Sequence, residues 1–356
     1  MAKNIVGLMN SFLKYFNVPV LNQSFDFVDN IIAGAQKNIV LILLDGMGSL
    51  NMQDCLKENS FFKRNKICDY NSVFPPTTVA ATASYDTGLY PSQHARLGWT
   101  MYYPEIDQNV EVYSNKNEFK EQAAAFNAAE HFTPYKSVHE YIREKGFDSY
   151  VLSPYQEPSF NSFDDILSEI LRLTECGGTK YIYAYWGEPD SLMHKKGVRH
   201  KDVIDNMRQL EQKVEAFAAR LKNTFCFVSA DHGHIDADGR VLCSYPDIAE
   251  NLLRLPTIEQ RAMNLFAKPQ NKDQLKKAFE RHFEDKYTLY SREEVLDTKL
   301  FGEKPYHPSL ESFLGDFIAV ANTPLTLFNS IDQLNALKGV HGGGTEKEKT
   351  IPLILL

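Results

Sequence analysis

The sequence predicts an α/β fold: a mainly parallel central sheet flanked by helices, with an inserted lid or subdomain. Three observations lead there. Short β-branched or aromatic runs alternate with amphipathic stretches, the signature of stacked β-α units around a parallel sheet. Hydrophobic residues fill 43% of the 356 positions, enough for one large core that still leaves room for an insertion. Polar residues then follow the apolar runs directly, where an open α/β sheet collects its ligands.

The elements can be justified in order. In MAKNIVGLMNSFLKYF, Ile5, Leu8, Met9, Phe12, Leu13 and Phe16 recur at helical spacing. With no uninterrupted apolar stretch and no small-residue cleavage site, this reads as an amphipathic helix and not a secretion signal. Strands are expected at Asn38–Leu44, Ile67–Val73, Asp148–Leu152, Lys180–Trp186, Thr224–Ser229, Asp316–Val320 and Ile351–Leu355. Helices are expected at Tyr135–Lys145, Ser162–Thr174 and Asp202–Leu221, where apolar residues return every three or four positions. Two stretches break the rhythm. Residues 99–133, with the polar, Tyr-rich MYYPEIDQNVEVY, read as a hairpin laid over the sheet. Residues 240–312, dense in Lys, Glu and His, read as a small α+β subdomain, so that 1–356 is one catalytic domain carrying two insertions.

Charge narrows the partners. Lys and Arg number 38 against 46 Asp and Glu, a net charge of −8. A polyanion binder carries a basic face, so a nucleic-acid polymer is not expected. A small anionic substrate would need local cations, such as metals, against the overall field. No run approaches the roughly 18 apolar residues that span a bilayer, so no membrane partner is expected either. Cys55, Cys68, Cys176, Cys226 and Cys243 are scattered with no CxxC pair, the usage of reduced thiols in a cytoplasm.

Most of the apolar runs border residues that packing alone does not require. NIVLILL ends in Asp45-Gly46-Met47-Gly48, which leaves a carboxylate at the rim, although an Asp there also serves as a cap or turn residue. In FPPTTVAATASYDTGLYPSQH two prolines end any strand, and a small-residue helix opens at Thr77 or Thr78. A hydroxyl there is either an N-cap or, beside free N–H groups and the positive dipole end, a nucleophile facing phosphate. YIYAYWG delivers Asp190 with His194 four residues on, one helical face that can bite a single metal ion. TFCFVSA ends in Asp231-His232-Gly233-His234, a pairing that ligation explains better than packing. His341, followed by three glycines, marks either a surface turn or backbone that approaches something closely. Together Asp45, Thr78, Asp190, His194, Asp231, His232 and His341 are all expected at C-terminal strand ends or in the loops after them. Three carboxylates and three imidazoles on one rim make a two-metal site, which Zn²⁺ suits.

The segments DGMG, FPPTTVAATASYDTGLYPSQH, EPDSLMH, SADHGH and HGG, in that order, resemble the nucleotide pyrophosphatase/phosphodiesterase branch of the alkaline phosphatase superfamily. The resemblance spans most of the sheet-forming chain and leaves 99–133 and 240–312 largely unaccounted for. It implies an alkaline phosphatase-like catalytic domain with one metal ion held by Asp190, His194 and His341. A second would be held by Asp45, Asp231 and His232, with Thr78 as nucleophile and further ligand. Zinc is the expected metal and manganese the alternative. The CxPxR-type motif of the superfamily's sulfatases is absent from the sequence. Thr82, one turn beyond Thr78, together with Arg96, Lys195 and His234, are candidate substrate contacts.

The implied chemistry is in-line displacement through a phosphothreonine, hydrolysing small phosphodiesters or nucleotide pyrophosphate bonds. Two dications would balance three carboxylates and an alkoxide, and a nearly neutral site suits a monoanionic diester better than a dianionic monoester. A phosphate monoesterase or phosphonate hydrolase is the alternative on the same scaffold. A non-catalytic, metal-stabilised binding protein is the remote one, since a purely structural site would need no nucleophile and would be coordinatively closed. The expected partner is a small phosphorylated substrate, and Trp99, Tyr102 and Tyr103 could stack on a base or simply pack the hairpin.

Overall fold

The computed structural model describes residues 3–34 and 37–356. Six strands build the central sheet, in the order Lys66–Asn71, Thr350–Leu355, Thr224–Ser229, Asn38–Leu44, Lys180–Trp186, Asp148–Leu152. Asn38–Leu44 runs parallel to both of its neighbours, and Asp148–Leu152 continues the parallel set. A strand covered on both faces has no wet side, which is why NIVLILL is apolar throughout and buried at every position.

Thr350–Leu355 runs against both of its neighbours. That direction matters for everything above the sheet. The carboxyl ends of the parallel strands share a rim with the amino end of Thr350–Leu355. His341, which precedes its strand where the other candidates follow theirs, therefore reaches the same rim.

Helices cover the sheet. Ile5–Tyr15 is capped by Asn4, whose side chain accepts the Gly7 N–H at 2.9 Å. Its Phe12 lies 6.0 Å from the Tyr181 ring and 5.3 Å from Phe227. Met1 and Ala2, the start of the segment read as a helix, lie outside the described residues. Lys201–Ala218 buries Val203, Met207, Leu210, Val214 and Phe217, a stripe at three- and four-residue spacing.

A second, antiparallel sheet has the order Tyr287–Ser291, Phe317–Ala321, Ala262–Leu265, Thr257–Ile258, Thr100–Tyr103, Gln108–Glu111. Strands from 99–133 and from 240–312 thus share one sheet. The run expected as strand Asp316–Val320 belongs here, as Phe317–Ala321, and not with the parallel set, because a fully buried apolar run carries no mark of which sheet it joins. The expected strand Ile67–Val73 stops at Asn71, where Ser72 turns its N–H to the Lys349 carbonyl (2.8 Å) and its hydroxyl to the Asp231 carbonyl.

Two scaffold histidines make the fold sensitive to acid. His139 is buried 5.1 Å from the Tyr181 ring with Nδ1 2.6 Å from Ser149 Oγ, and His94 pairs with Ser84 Oγ at 3.0 Å. Burial, with a nearby arginine in each case, pushes both imidazoles down to about 3. The unfolded chain protonates them near 6.5, so stability is fully present above that pH and falls as pH drops toward 3. Each contributes a slope of about 1.4 kcal/mol per pH unit in that window. Urea unfolding between pH 6.5 and 4.5 should show falling stability, and His139→Gln should flatten the slope by one histidine's share. An unchanged slope in the variant would contradict this account.

Candidate active site

The rim side chains are locked loop to loop. Asp45 donates its N–H to the Trp186 carbonyl (3.0 Å) and accepts the Asp190 N–H (3.1 Å), which joins the loops of adjacent strands. Asp231 Oδ1 accepts N–H groups from Gly46 and from His232, both at 3.0 Å. Asp190 opens the helix Asp190–Lys196, and His194 one turn later brings Nε2 to 3.4 Å from Asp190 Oδ1. His341 Nε2 lies 3.9 Å from that same oxygen, and its ring stacks on His232 at 3.7 Å. Thr78 is the first residue of the helix Thr78–Thr87, with Oγ1 3.1 Å from His232 Nε2. The fold thus gathers all seven residues singled out from the strand ends.

The donor set fits divalent cations. His194 Nδ1 lies 2.8 Å from the Gly339 carbonyl, His232 Nδ1 3.3 Å from Gly233 and His341 Nδ1 3.3 Å from Pro76. A carbonyl only accepts, so each Nδ1 carries the proton and each Nε2 presents a lone pair. His232 Nε2 faces Asp45 Oδ1 at 3.4 Å and Asp231 Oδ2 at 3.5 Å, and both of those oxygens are buried without a hydrogen-bond partner among the described residues. Lone pairs facing lone pairs in a dry site call for a cation between them. Ligand atoms of Asp190, His194, His234 and His341 lie within 4.8 Å of one another, as do those of Asp45, Asp190 and His232.

The electrostatics agree. Burial, then the Asp231 and Asp190 carboxylates, push the Asp45 carboxyl well above its usual range despite a hydrogen bond from the Tyr185 phenol. Burial also opposes charge on Asp190, but His194 and His234 when protonated, with the hydrogen bond from His234 Nε2, hold it well below the ordinary value. Burial, with His232 and His234 alongside, pushes His341 well down, so it stays a neutral ligand.

The candidate substrate contacts are placed less uniformly. Thr82 Oγ1 lies 2.6 Å from the Thr78 carbonyl and 2.7 Å from the Tyr113 phenol. Arg96 is half-buried, its guanidinium over the Tyr135 ring at 4.2 Å. Lys195 is exposed. His234 is fully buried, with Nε2 2.5 Å from Asp190 Oδ1 and its backbone held in both directions by Asn51. Of the aromatic residues in the hairpin, Tyr103 is core and Tyr102 lies under the Arg254 guanidinium at 3.7 Å. Trp99 stays open to solvent, edge-on to Tyr113 at 5.7 Å.

Two residues at the site escaped the sequence reading. Tyr185 sits within a strand and gave only an alternation cue. Glu259, inside the 240–312 stretch, gave none. It is buried, and burial pushes its carboxyl up to about 7 against hydrogen bonds from the Thr77 hydroxyl (2.5 Å) and the Trp99 N–H (3.0 Å).

A buried carboxylate–imidazole cluster with a hydroxyl at a helix start, on the rim of an α/β sheet, has the donors to hold divalent cations beside a nucleophile. The sequence matches the profile of the type I phosphodiesterase/nucleotide pyrophosphatase family over residues 39–343, and the chain belongs to that family. No curated protein matches it. Among solved structures it is similar to murine ectonucleotide pyrophosphatase/phosphodiesterase 5, an inactive Thr-to-Ala variant in complex with AMP. That pair shares 15% identity over 89% of this chain and 87% of the other, with a TM-score of 0.69. The human protein of the same name shares 15% identity over 90% of this chain and 87% of its own, with a TM-score of 0.68.

The Asp45 and Asp231 loops meet back to back at two glycines. A Cβ on Gly48 would lie 2.5 Å from Gly233 Cα, and one on Gly233 would lie 2.2 Å from the Lys347 carbonyl oxygen. Backbone cannot yield as a side chain does. Gly233→Ala should therefore cost about 2 kcal/mol in urea unfolding and lower the metal retained after dialysis. Wild-type stability and metal content in that variant would show that the loops do not need this contact.

Proposed function

We propose that this chain is a two-metal phosphoesterase that hydrolyses small phosphodiesters or nucleotide pyrophosphate bonds through a phosphothreonine at Thr78. The observation that carries this reading is Thr78 Oγ1, 3.1 Å from His232 Nε2, at the head of a helix and inside the ligand cluster. When bound, two divalent cations would lower the pKa of the Thr78 hydroxyl and neutralise the transferring and leaving oxygens. Asp190, His194 and His341 would hold one; Asp45, Asp231, His232 and Thr78 the other. Mixed nitrogen and oxygen donors suit zinc.

The chain's own groups do the rest. Thr78 Oγ forms a bond to phosphorus as the bond to the leaving oxygen breaks, and the threonine proton ends on the leaving group. Water then displaces Thr78, restoring its hydroxyl and releasing the phosphorylated product. The first N–H groups of Thr78–Thr87 offer donors to the phosphoryl oxygens. Residues 99–133 and 240–312 act as a lid that selects the leaving group, a role supported by Tyr113 reaching Thr82 and Glu259 reaching Thr77. That a relative of the same fold binds AMP supports a nucleotide-like substrate. The five cysteines, all unpaired, support a reducing, cytoplasmic setting. Among the described residues no helix is long and apolar enough to cross a membrane.

Thr78→Ala should lower turnover by about 10⁴-fold or more while metal content stays at about two ions per chain. Retained turnover would remove Thr78 from the mechanism. Bis-p-nitrophenyl phosphate should be hydrolysed faster than p-nitrophenyl phosphate by the zinc-loaded protein. A strong preference for the monoester would move the substrate class to monoesters.

A further inference from the structure

Glu259 sits where three separate loops of the site meet. Its Oε1 accepts from the Thr77 hydroxyl at 2.5 Å and from the Trp99 N–H at 3.0 Å. A Cβ on Gly342, the residue after His341, would lie 3.0 Å from both Glu259 Cβ and Cγ. One glutamate at the end of an antiparallel-sheet strand therefore meets three segments: its carboxylate reaches the nucleophile segment and the start of 99–133, and its stem packs beside the His341 loop.

The backbone is strained to deliver it. Ile258, a buried β-branched residue, has φ +72°, a conformation that its side chain disfavours. Gly98 packs directly on it, since a Cβ there would stand 2.8 Å from Ile258 Cγ2 and 2.9 Å from its carbonyl oxygen. Two residues beyond Glu259, Arg261 is fully buried against Glu348, with Nε to Oε1 at 2.6 Å. The turn is anchored on both sides of Glu259.

The consequence shows at the helix start. Thr77 occupies the N-cap position with extended backbone, φ −140° and ψ 150°, yet its side chain makes no cap hydrogen bond. A threonine there ordinarily accepts from an N–H of the first turn. Here the hydroxyl is turned to Glu259, and among the described residues the N–H groups of Thr78, Val79 and Ala80 meet no acceptor. The buried, unpartnered oxygens of Asp45 and Asp231 face the same His232 Nε2 as Thr78 Oγ1.

We propose that Glu259 is a positioning residue: by holding the Thr77 hydroxyl away from the helix cap, it keeps the first-turn N–H groups open to the oxygens of a bound phosphoryl group. This rests on the phosphoesterase reading of the site. Without Glu259, the Thr77 hydroxyl swings into the cap and competes with phosphate for those donors.

The test uses the full-length, zinc-loaded protein with metal content measured for every variant. Affinity for inorganic phosphate is read by calorimetry, and kcat and KM on bis-p-nitrophenyl phosphate are read beside it. Glu259→Ala should weaken phosphate binding and lower kcat, each by about tenfold, at unchanged metal content. Glu259→Gln keeps an oxygen that accepts both hydrogen bonds and should stay within about threefold of wild type. Adding Thr77→Val to Glu259→Ala removes the competing hydroxyl and should recover most of the loss. Unaltered phosphate affinity in Glu259→Ala, no recovery in the double variant, or a loss that follows metal content would each overturn the proposal. Absence of ester turnover in the wild type would instead sink the phosphoesterase reading, while the phosphate affinities still decide the role of Glu259.

Discussion

Everything at the rim depends on the burial of more negative charge and more lone pairs than the chain itself can satisfy. Asp45, Asp190 and Asp231 come together with three imidazoles whose Nε2 atoms all present acceptors. Such an arrangement is costly in a dry environment unless cations complete it. The surrounding backbone is arranged to hold it: N–H groups of Gly46 and His232 fix one oxygen of Asp231, and carbonyls of Gly339, Gly233 and Pro76 fix the imidazole tautomers. The fold restrains these side chains and, among the described residues, leaves Asp45 Oδ1 and Asp231 Oδ2 without hydrogen-bond partners.

Much of this could be read from the chain. Asp231 and His232 stood out as an adjacent pair that packing explains poorly after an apolar run, whereas Asp45 read alone as a cap or turn residue and gained weight only beside the others. Asp190 and His194 were legible from a four-residue spacing. His341 was legible as a residue, but its route to the rim was not, because strand direction leaves no mark in composition. The same blindness put Phe317–Ala321 in the wrong sheet. Glu259 and Arg261 were invisible for another reason. A charged residue in a stretch rich in charge reads as solvated, and only the tertiary fold shows that Arg261 pairs with Glu348, 87 positions away, with neither exposed.

That pair also explains how the second sheet and the rim of the central sheet act as one piece. Glu348 takes two hydrogen bonds from Arg261 and one from the Gly343 N–H (2.7 Å), and its own carbonyl accepts the Gly233 N–H at 2.7 Å. The loops bearing His341 and His232 are thus tied to each other and to the antiparallel sheet through a single side chain and its backbone. Removing one partner of so buried a pair would strand a charge, at a cost of about 3–5 kcal/mol.

The reversed final strand carries a consequence for biosynthesis. Thr350–Leu355 is an interior member of the sheet, between Lys66–Asn71 and Thr224–Ser229, and the His341 loop runs directly into it. While residues 350–355 are still inside the ribosome tunnel, the emerging polypeptide has a gap in its sheet and one imidazole missing from its rim. The sheet and the rim are therefore completed together, and a chain cut before His341 would lack both an interior strand and one of the clustered imidazoles.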